Sequence, residues 1–218
     1  MADLNTYTHE PKSGGKPKSI VILLHGLGAN GQDLISLAQY WQDSLPDTVF
    51  VSPDVPFECD MAPGMMNSYQ WFSLQNRDPH VMLRGVEESA PVLNSYIDKI
   101  LQDYDLSEKN AALVGFSQGT MMSLFVGPRR PQPLAGIVGY SGALIGAEGL
   151  GGSNITKPPI HLIHGEADDV VPVQAHSLAT GLLTQSGFTV SGHTTPGLGH
   201  GIDNDGIESA STFLTGTL

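Results

Sequence analysis

Residues 115–119 read GFSQG, a Gly-x-Ser-x-Gly pattern whose central serine could attack an acyl group. A pattern this short recurs by chance, so its setting decides. It follows the apolar run AALVG and precedes MMSLF, which puts Ser117 on a strand-to-helix turn, where a nucleophile elbow has to be. In so tight a turn Gly115 and Gly119 must lack a Cβ to clear the neighbouring backbone.

A serine hydroxyl is a weak nucleophile without a base. In folds that carry this elbow the chain order is serine, acid, histidine. After Ser117 the acids ahead of the last loop are Glu148, Glu166, Asp168 and Asp169, and the histidines beyond them are His176, His193 and His200. His176 falls inside a predicted helix, expected on a surface far from the strand ends. His193 falls inside the strand FTVSGHTT, pointing into a sheet face. His200 stands in PGLGHG, just past the carboxyl end of that strand, and is the expected base, with His193 the alternative. Glu166, Asp168 and Asp169 all follow the strand IHLIHG at 160–165. Their partner's tautomer would be fixed by a hydrogen bond to Nδ1–H. Spacing does not choose among them; Asp168 ranks first by position in the loop.

Acyl transfer also needs two backbone N–H groups aimed at the developing oxyanion, each worth roughly 3 kcal/mol. One is expected from Gln118, the residue after the nucleophile. The other is expected from the first strand-to-helix loop, where Gly26 and Gly28 flank Leu27 and let its backbone turn inward. His25 is expected to order that loop rather than act in chemistry.

The elements that must hold these residues alternate between strand and helix. Strands are expected at 4–9, 19–26, 48–53, 110–116, 134–142, 160–165 and 188–195. Helices are expected from about Asp33 to Asp43, Met82 to Asp103, Met121 to Pro128, Val173 to Ser186 and Asp205 to Leu214. Such alternation predicts a mostly parallel sheet with helices on both faces and ligands beyond the carboxyl ends of the strands. The 218 residues suit one domain, 1–218. The segment 54–80 is too long for a plain connector and holds Met65, Met66 and Trp71, expected to face an acyl chain together with Leu27. Fewer than 20 residues separate the strands at 134–142 and 160–165, which leaves no room for a helical cap domain.

A net charge of −12 argues against nucleic acid and against electrostatic docking on anionic lipid, while leaving room for a greasy ester and transient membrane contact. The single cysteine, Cys59, forms no intrachain disulfide. No apolar run approaches a membrane span and the first residues show no leader pattern, so the cytoplasm is the expected location. A metal hydrolase built on His161, His164, Asp168 and His200 is disfavoured, because residues three apart on a strand point to opposite faces.

LLHGLGANGQDL, SPDVPFECDMAPG, QWFSL, GFSQG, HGEADDVVP and GLGHGI, in this order, resemble the acyl-protein thioesterase and bacterial carboxylesterase group of the α/β-hydrolases, also called the phospholipase/carboxylesterase family. The resemblance runs from about residue 5 to 214. It implies an α/β-hydrolase fold, the triad Ser117, Asp168 and His200, and Leu27 and Gln118 as oxyanion donors. Asp168 is the fourth residue after His164 in the family's HG-x-x-D pattern. It also implies hydrolysis of short- to medium-chain esters, lysophospholipids or acyl thioesters without metal or organic cofactor, by a chain that pairs with itself in many members. An acyl-protein thioesterase and a dienelactone-type lactonase are the alternatives; the latter usually carries Cys at the nucleophile position. The chain departs from the pattern at Asp169, where several members have proline, and in APGMMNSYQWF, a few residues longer than in some relatives.

Overall fold

The computed structural model describes residues 4–218. Its strands are β1 Thr6–His9, β2 Ser19–Leu24, β3 Thr48–Pro53, β4 Phe57–Glu58, β5 Tyr69–Gln70, β6 Ala111–Phe116, β7 Gly136–Tyr140, β8 Ile160–Gly165 and β9 Val190–Thr195. Seven form one sheet in the order β1-β3-β2-β6-β7-β8-β9, parallel throughout except for β1, which runs antiparallel on β3. β4 and β5 form a separate hairpin inside the 54–80 segment. The continuous apolar runs have their cause in this arrangement: all six residues of β2, and all six of β8, are buried, because helices cover both faces of the sheet.

The helices are α1 Gly31–Ile35, α2 Ala38–Trp41, α3 Pro79–Tyr104, α4 Gln118–Val126, α5 Gln174–Gln185 and α6 Asn204–Thr217. One core lies between the sheet and α3, α4 and α5, around Ile22, Leu93, Met122 and Leu183. The other lies under α1, α2 and α6, around Val21, Trp41, Val114 and Leu214. The chain leaves β2 toward β3 on one side and later returns with β6 on the other. The β2 and β6 ends therefore form the switch point at which α/β sheets bind ligands. Between Ser141 and Pro159 the chain makes only a 3-10 turn at Ala147–Gly149, and no cap layer covers the strand ends among the described residues.

Three expectations need correction. The helix expected over 33–43 is two short pieces. Ser36 turns its hydroxyl back onto the Asp33 carbonyl at 2.7 Å and the backbone tightens to Leu37 N–H on Leu34 O, which breaks the helical ladder. The helix expected from Met82 starts at Pro79, where Asp78 accepts from the His80 and Val81 amides and proline suits the first turn. His176 does not stand out on a far surface: it is half-buried against β8, its Nε2 3.2 Å from the Leu162 carbonyl.

Candidate active site

Ser117 has φ 54° and ψ −112°, the strained backbone of an elbow, between β6 and α4. The two glycines are required by contact. A Cβ on Gly119 would fall 1.8 Å from the Leu24 carbonyl oxygen, and one on Gly115 would fall 2.4 Å from the Gly119 carbonyl carbon. Thr120 holds the turn from below by donating to the carbonyls of Gly115 and Tyr140, each at 2.8 Å.

Of the three acids after β8, Glu166 and Asp169 are exposed and Asp168 is buried. Asp168 Oδ2 lies 2.8 Å from His200 Nδ1, and Oδ1 accepts from the amides of Val170 and Val171 at 2.9 and 2.8 Å. Burial pushes this carboxyl up. The hydrogen bond from His200, the two amides and the charge of His200 outweigh it, and the group lies below the ordinary aspartate range. His164, buried on the same side, brings Nε2 within 3.3 Å of Oδ2 and 2.8 Å of the Val171 carbonyl. Both neighbours are acceptors, so Nε2 carries the proton. His193, the alternative base, instead lies beside His161 with ring centroids 6.5 Å apart. His161 bonds Ser191 and Ser209 on the α6 side, whereas His164 faces α5, so the two point to opposite faces.

His200 packs on Phe116, ring centroids 4.9 Å apart, and shares with Ser117 the wall of a groove of about 300 Å³. Among the described residues no hydrogen bond yet joins Ser117 Oγ to the imidazole. Such bonds are often long in free enzymes and tighten when substrate binds. Leu27, Leu74, Met82, Met121, Val171 and Ala175 make the groove largely apolar.

The Leu27 N–H is unspent among the described residues, while its neighbours are tied down: Gly28 N–H donates to Tyr69 O at 2.8 Å and Tyr69 N–H to Ala29 O at 3.0 Å. Gln118 opens α4, so its amide lacks an intrahelical acceptor. His25 is fully buried. Burial lowers its pKa against the opposing effect of the Gly26 carbonyl, keeping the ring neutral. Its Nε2 accepts from Val55 N–H at 3.4 Å and its Nδ1 donates to Gly26 O at 2.8 Å, which orders the loop.

The side chain of Gln118 has a role that the motif alone did not reveal. It is fully buried, accepting from Trp71 N–H and donating to Phe72 O, both at 2.7 Å. Trp71 in turn donates from its indole to His25 O at 3.1 Å. This clamp corrects the expected acyl-binding wall. Trp71 has no exposed surface and ties the 54–80 segment to the elbow, while Met65 and Met66 are 66% and 88% exposed and line no groove beside Ser117. Leu27 does line it.

Sheet order, elbow and the imidazole–carboxylate pair define an α/β hydrolase of the serine type. The chain belongs to the Phospholipase/Carboxylesterase family, whose model matches residues 9–218. Among its relatives, acyl-protein thioesterase 1 of Neurospora crassa is 30% identical over 89% of this chain and 85% of that protein. Esterase YpfH of Escherichia coli is 26% identical over 95% of this chain and 87% of that protein. The crystal structure of esterase PE8 superposes with a TM-score of 0.93 at 40% identity, covering 100% of both chains.

Proposed function

We propose that the chain is a carboxylesterase that hydrolyses short- to medium-chain esters, lysophospholipids among the candidates, through a covalent acyl-enzyme, with Ser117, His200 and Asp168 as its triad. The observation that carries this reading is the 2.8 Å contact between Asp168 Oδ2 and His200 Nδ1 on the rim of the groove that Ser117 lines. His200 takes the Ser117 proton as Oγ bonds to the acyl carbon. The tetrahedral oxyanion meets the Leu27 and Gln118 amides. As the carbon–oxygen bond to the alcohol breaks, His200 gives that proton to the leaving oxygen, and water then repeats the sequence to release the acid. Asp168 stays ionised and steadies the imidazolium. The reaction calls on no metal or organic cofactor.

Thioester hydrolysis is the second reading, favoured by relatives named acyl-protein thioesterase 1. The dienelactone-type reading is the weakest, since the nucleophile position holds Ser117 and Cys59 is buried in another segment. One domain, a cytoplasmic location, a homodimer and transient contact with membranes for lipid-like acyl substrates complete the proposal; the last three rest on family resemblance and composition.

A small alkyl phosphonate should label Ser117 and no other serine, and His200→Ala should stop labelling. Labelling elsewhere, or none in folded protein, overturns the triad. Matched ester and thioester series of rising acyl length, compared by kcat/KM, decide between the first two readings.

A further inference from the structure

A second groove of about 300 Å³ opens on the opposite side of the strand ends from the one beside Ser117. The groove beside Ser117 is walled by Met82 of α3, Met121 of α4 and Ala175 of α5. The second is walled by Leu34 of α1, by Ser36 and Leu37, by Phe116 and by Ile202 ahead of α6. Each thus belongs to a different face of the sheet, and the elbow stands between them. Two contacts join the second groove to the chemistry. Gly26 lines it, and a Cβ on that residue would lie 3.2 Å from Ser117 Cβ and 3.1 Å from the Phe116 ring, so the wall of the groove at Gly26 stands directly against the elbow. Phe116 lines it too, and its ring packs at a tilt of 47° against His200, centroids 4.9 Å apart.

We propose that this second groove holds the leaving group of the substrate, so that an ester lies across the sheet edge with its acyl chain on the α3–α4–α5 side and its alcohol on the α1–α6 side. The inference rests on the hydrolase reading above. His200 must protonate the departing oxygen, so the alcohol has to leave beside that ring. The groove lined by Phe116, the ring that packs against His200, is where the body of the alcohol fits. The lining selects the alcohol's chemistry. It is mostly aliphatic and aromatic, with the buried imidazole of His25, the hydroxyl of Ser36 and one carboxylate, Asp33, and no lysine or arginine. In a chain of net charge −12 this favours a neutral or cationic apolar alcohol or thiol and disfavours a leaving group that carries phosphate, which ranks lysophospholipids below neutral esters among the candidate substrates.

The test holds the acyl group constant and changes the alcohol. Ethyl and cyclohexylmethyl butyrate have alcohols of similar acidity and give the same acyl-enzyme, so their ratio of kcat/KM reads leaving-group binding alone. The expected ratio is about tenfold in favour of the bulky ester, the scale on which apolar pockets discriminate. Ser36→Trp fills the groove from its exposed rim and should bring the ratio near one. Ile202→Ser, from the opposite wall, should reduce it as well and serves if the first variant folds poorly. A cyclohexylmethyl/ethyl ratio near one in the unmodified enzyme overturns the proposal. So does a ratio that neither folded variant changes. Phosphonate labelling separates the two levels: an unlabelled Ser117 sinks the triad reading, whereas a labelled enzyme blind to alcohol size sinks only the groove.

Discussion

The elbow at 115–119 and the segment at 54–80 both contact the loop that follows β2, yet they are held by different forces. The elbow is fixed by backbone sterics within five residues: a positive φ at Ser117 and two glycines whose Cβ atoms would collide with Leu24 and with Gly119 itself. The 54–80 segment is fixed by long-range hydrogen bonds: Trp71 N–H to Gln118, Gln118 to Phe72 O, the Trp71 indole to His25 O, Ser89 to Trp71 O, and the Tyr69 backbone with Gly28 and Ala29. The comparison separates what the site does from what keeps it in shape, and the two regions should respond differently to substitution.

The largest effect is expected at the elbow. Ser117→Ala keeps the fold and removes the proposed nucleophile, so turnover should drop by on the order of 10⁴-fold or more. The melting temperature should stay within a few degrees. Steady-state kinetics beside a thermal melt check both, and a folded variant that keeps a tenth of its activity breaks the assignment.

Gln118→Ala tests the other region. It keeps the backbone amide proposed as an oxyanion donor but strands the buried Trp71 amide and Phe72 carbonyl. Stability should fall by about 2–4 kcal/mol, the cost of two unmet buried groups. Turnover should fall by roughly 10–100-fold as the loop carrying Leu27 shifts. Denaturant titration with kinetics on the remaining folded protein reads the two separately. Loss of activity without loss of stability would mean that the side chain serves the reaction directly and not the clamp.

This contrast also explains what was legible in the sequence. The elbow, the parallel sheet and the position of His200 past a strand end could be read because each follows from local pattern: residue spacing, glycine placement, alternation of strand and helix. The 2.8 Å contact between Asp168 and His200 links residues 32 apart, and spacing alone left three acids open. Burial separates them, since Asp168 is enclosed and its neighbours are not. The 54–80 segment misled for the same reason. Apolar residues in a long loop resemble a substrate wall until it is known which of them the core consumes, and Trp71 is consumed because Gln118, Ser89 and His25 meet its polar atoms. The break at Ser36 was hidden because a hydroxyl's choice of a nearby carbonyl leaves no mark on the apolar spacing.

Acid titration probes the α6 side of the sheet, where His161 lies. Burial, helped by the nearby charge of His193, lowers His161 to about 4 from an ordinary 6.5. Between these values the unfolded chain binds a proton that the folded chain refuses, so stability falls as pH drops from 6.5 toward 4. Asp168 acts lower down. Its folded value is depressed below 3.8, so its contribution is complete above that pH and is lost as pH falls through the folded value. His161→Gln should therefore make the stability curve less steep between pH 7 and pH 4, measured by urea unfolding, with the part owed to the buried His25 and half-buried His176 and the loss at lower pH left in place. An unchanged curve would mean that His161 takes up its proton in the folded protein as easily as in the unfolded one.

The smallest effect is expected at the tip of the 54–80 segment. Met66 is 88% exposed and is not on the wall of the groove beside Ser117. Surface changes away from packed or bonded groups usually cost within about 0.5 kcal/mol. Met66→Ser should therefore alter kcat/KM for long and short acyl esters by less than about twofold and leave their ratio alone. A selective loss on the longer chain would show that the tip folds over the substrate during turnover, making the segment a part of the acyl site as well as a brace for the elbow.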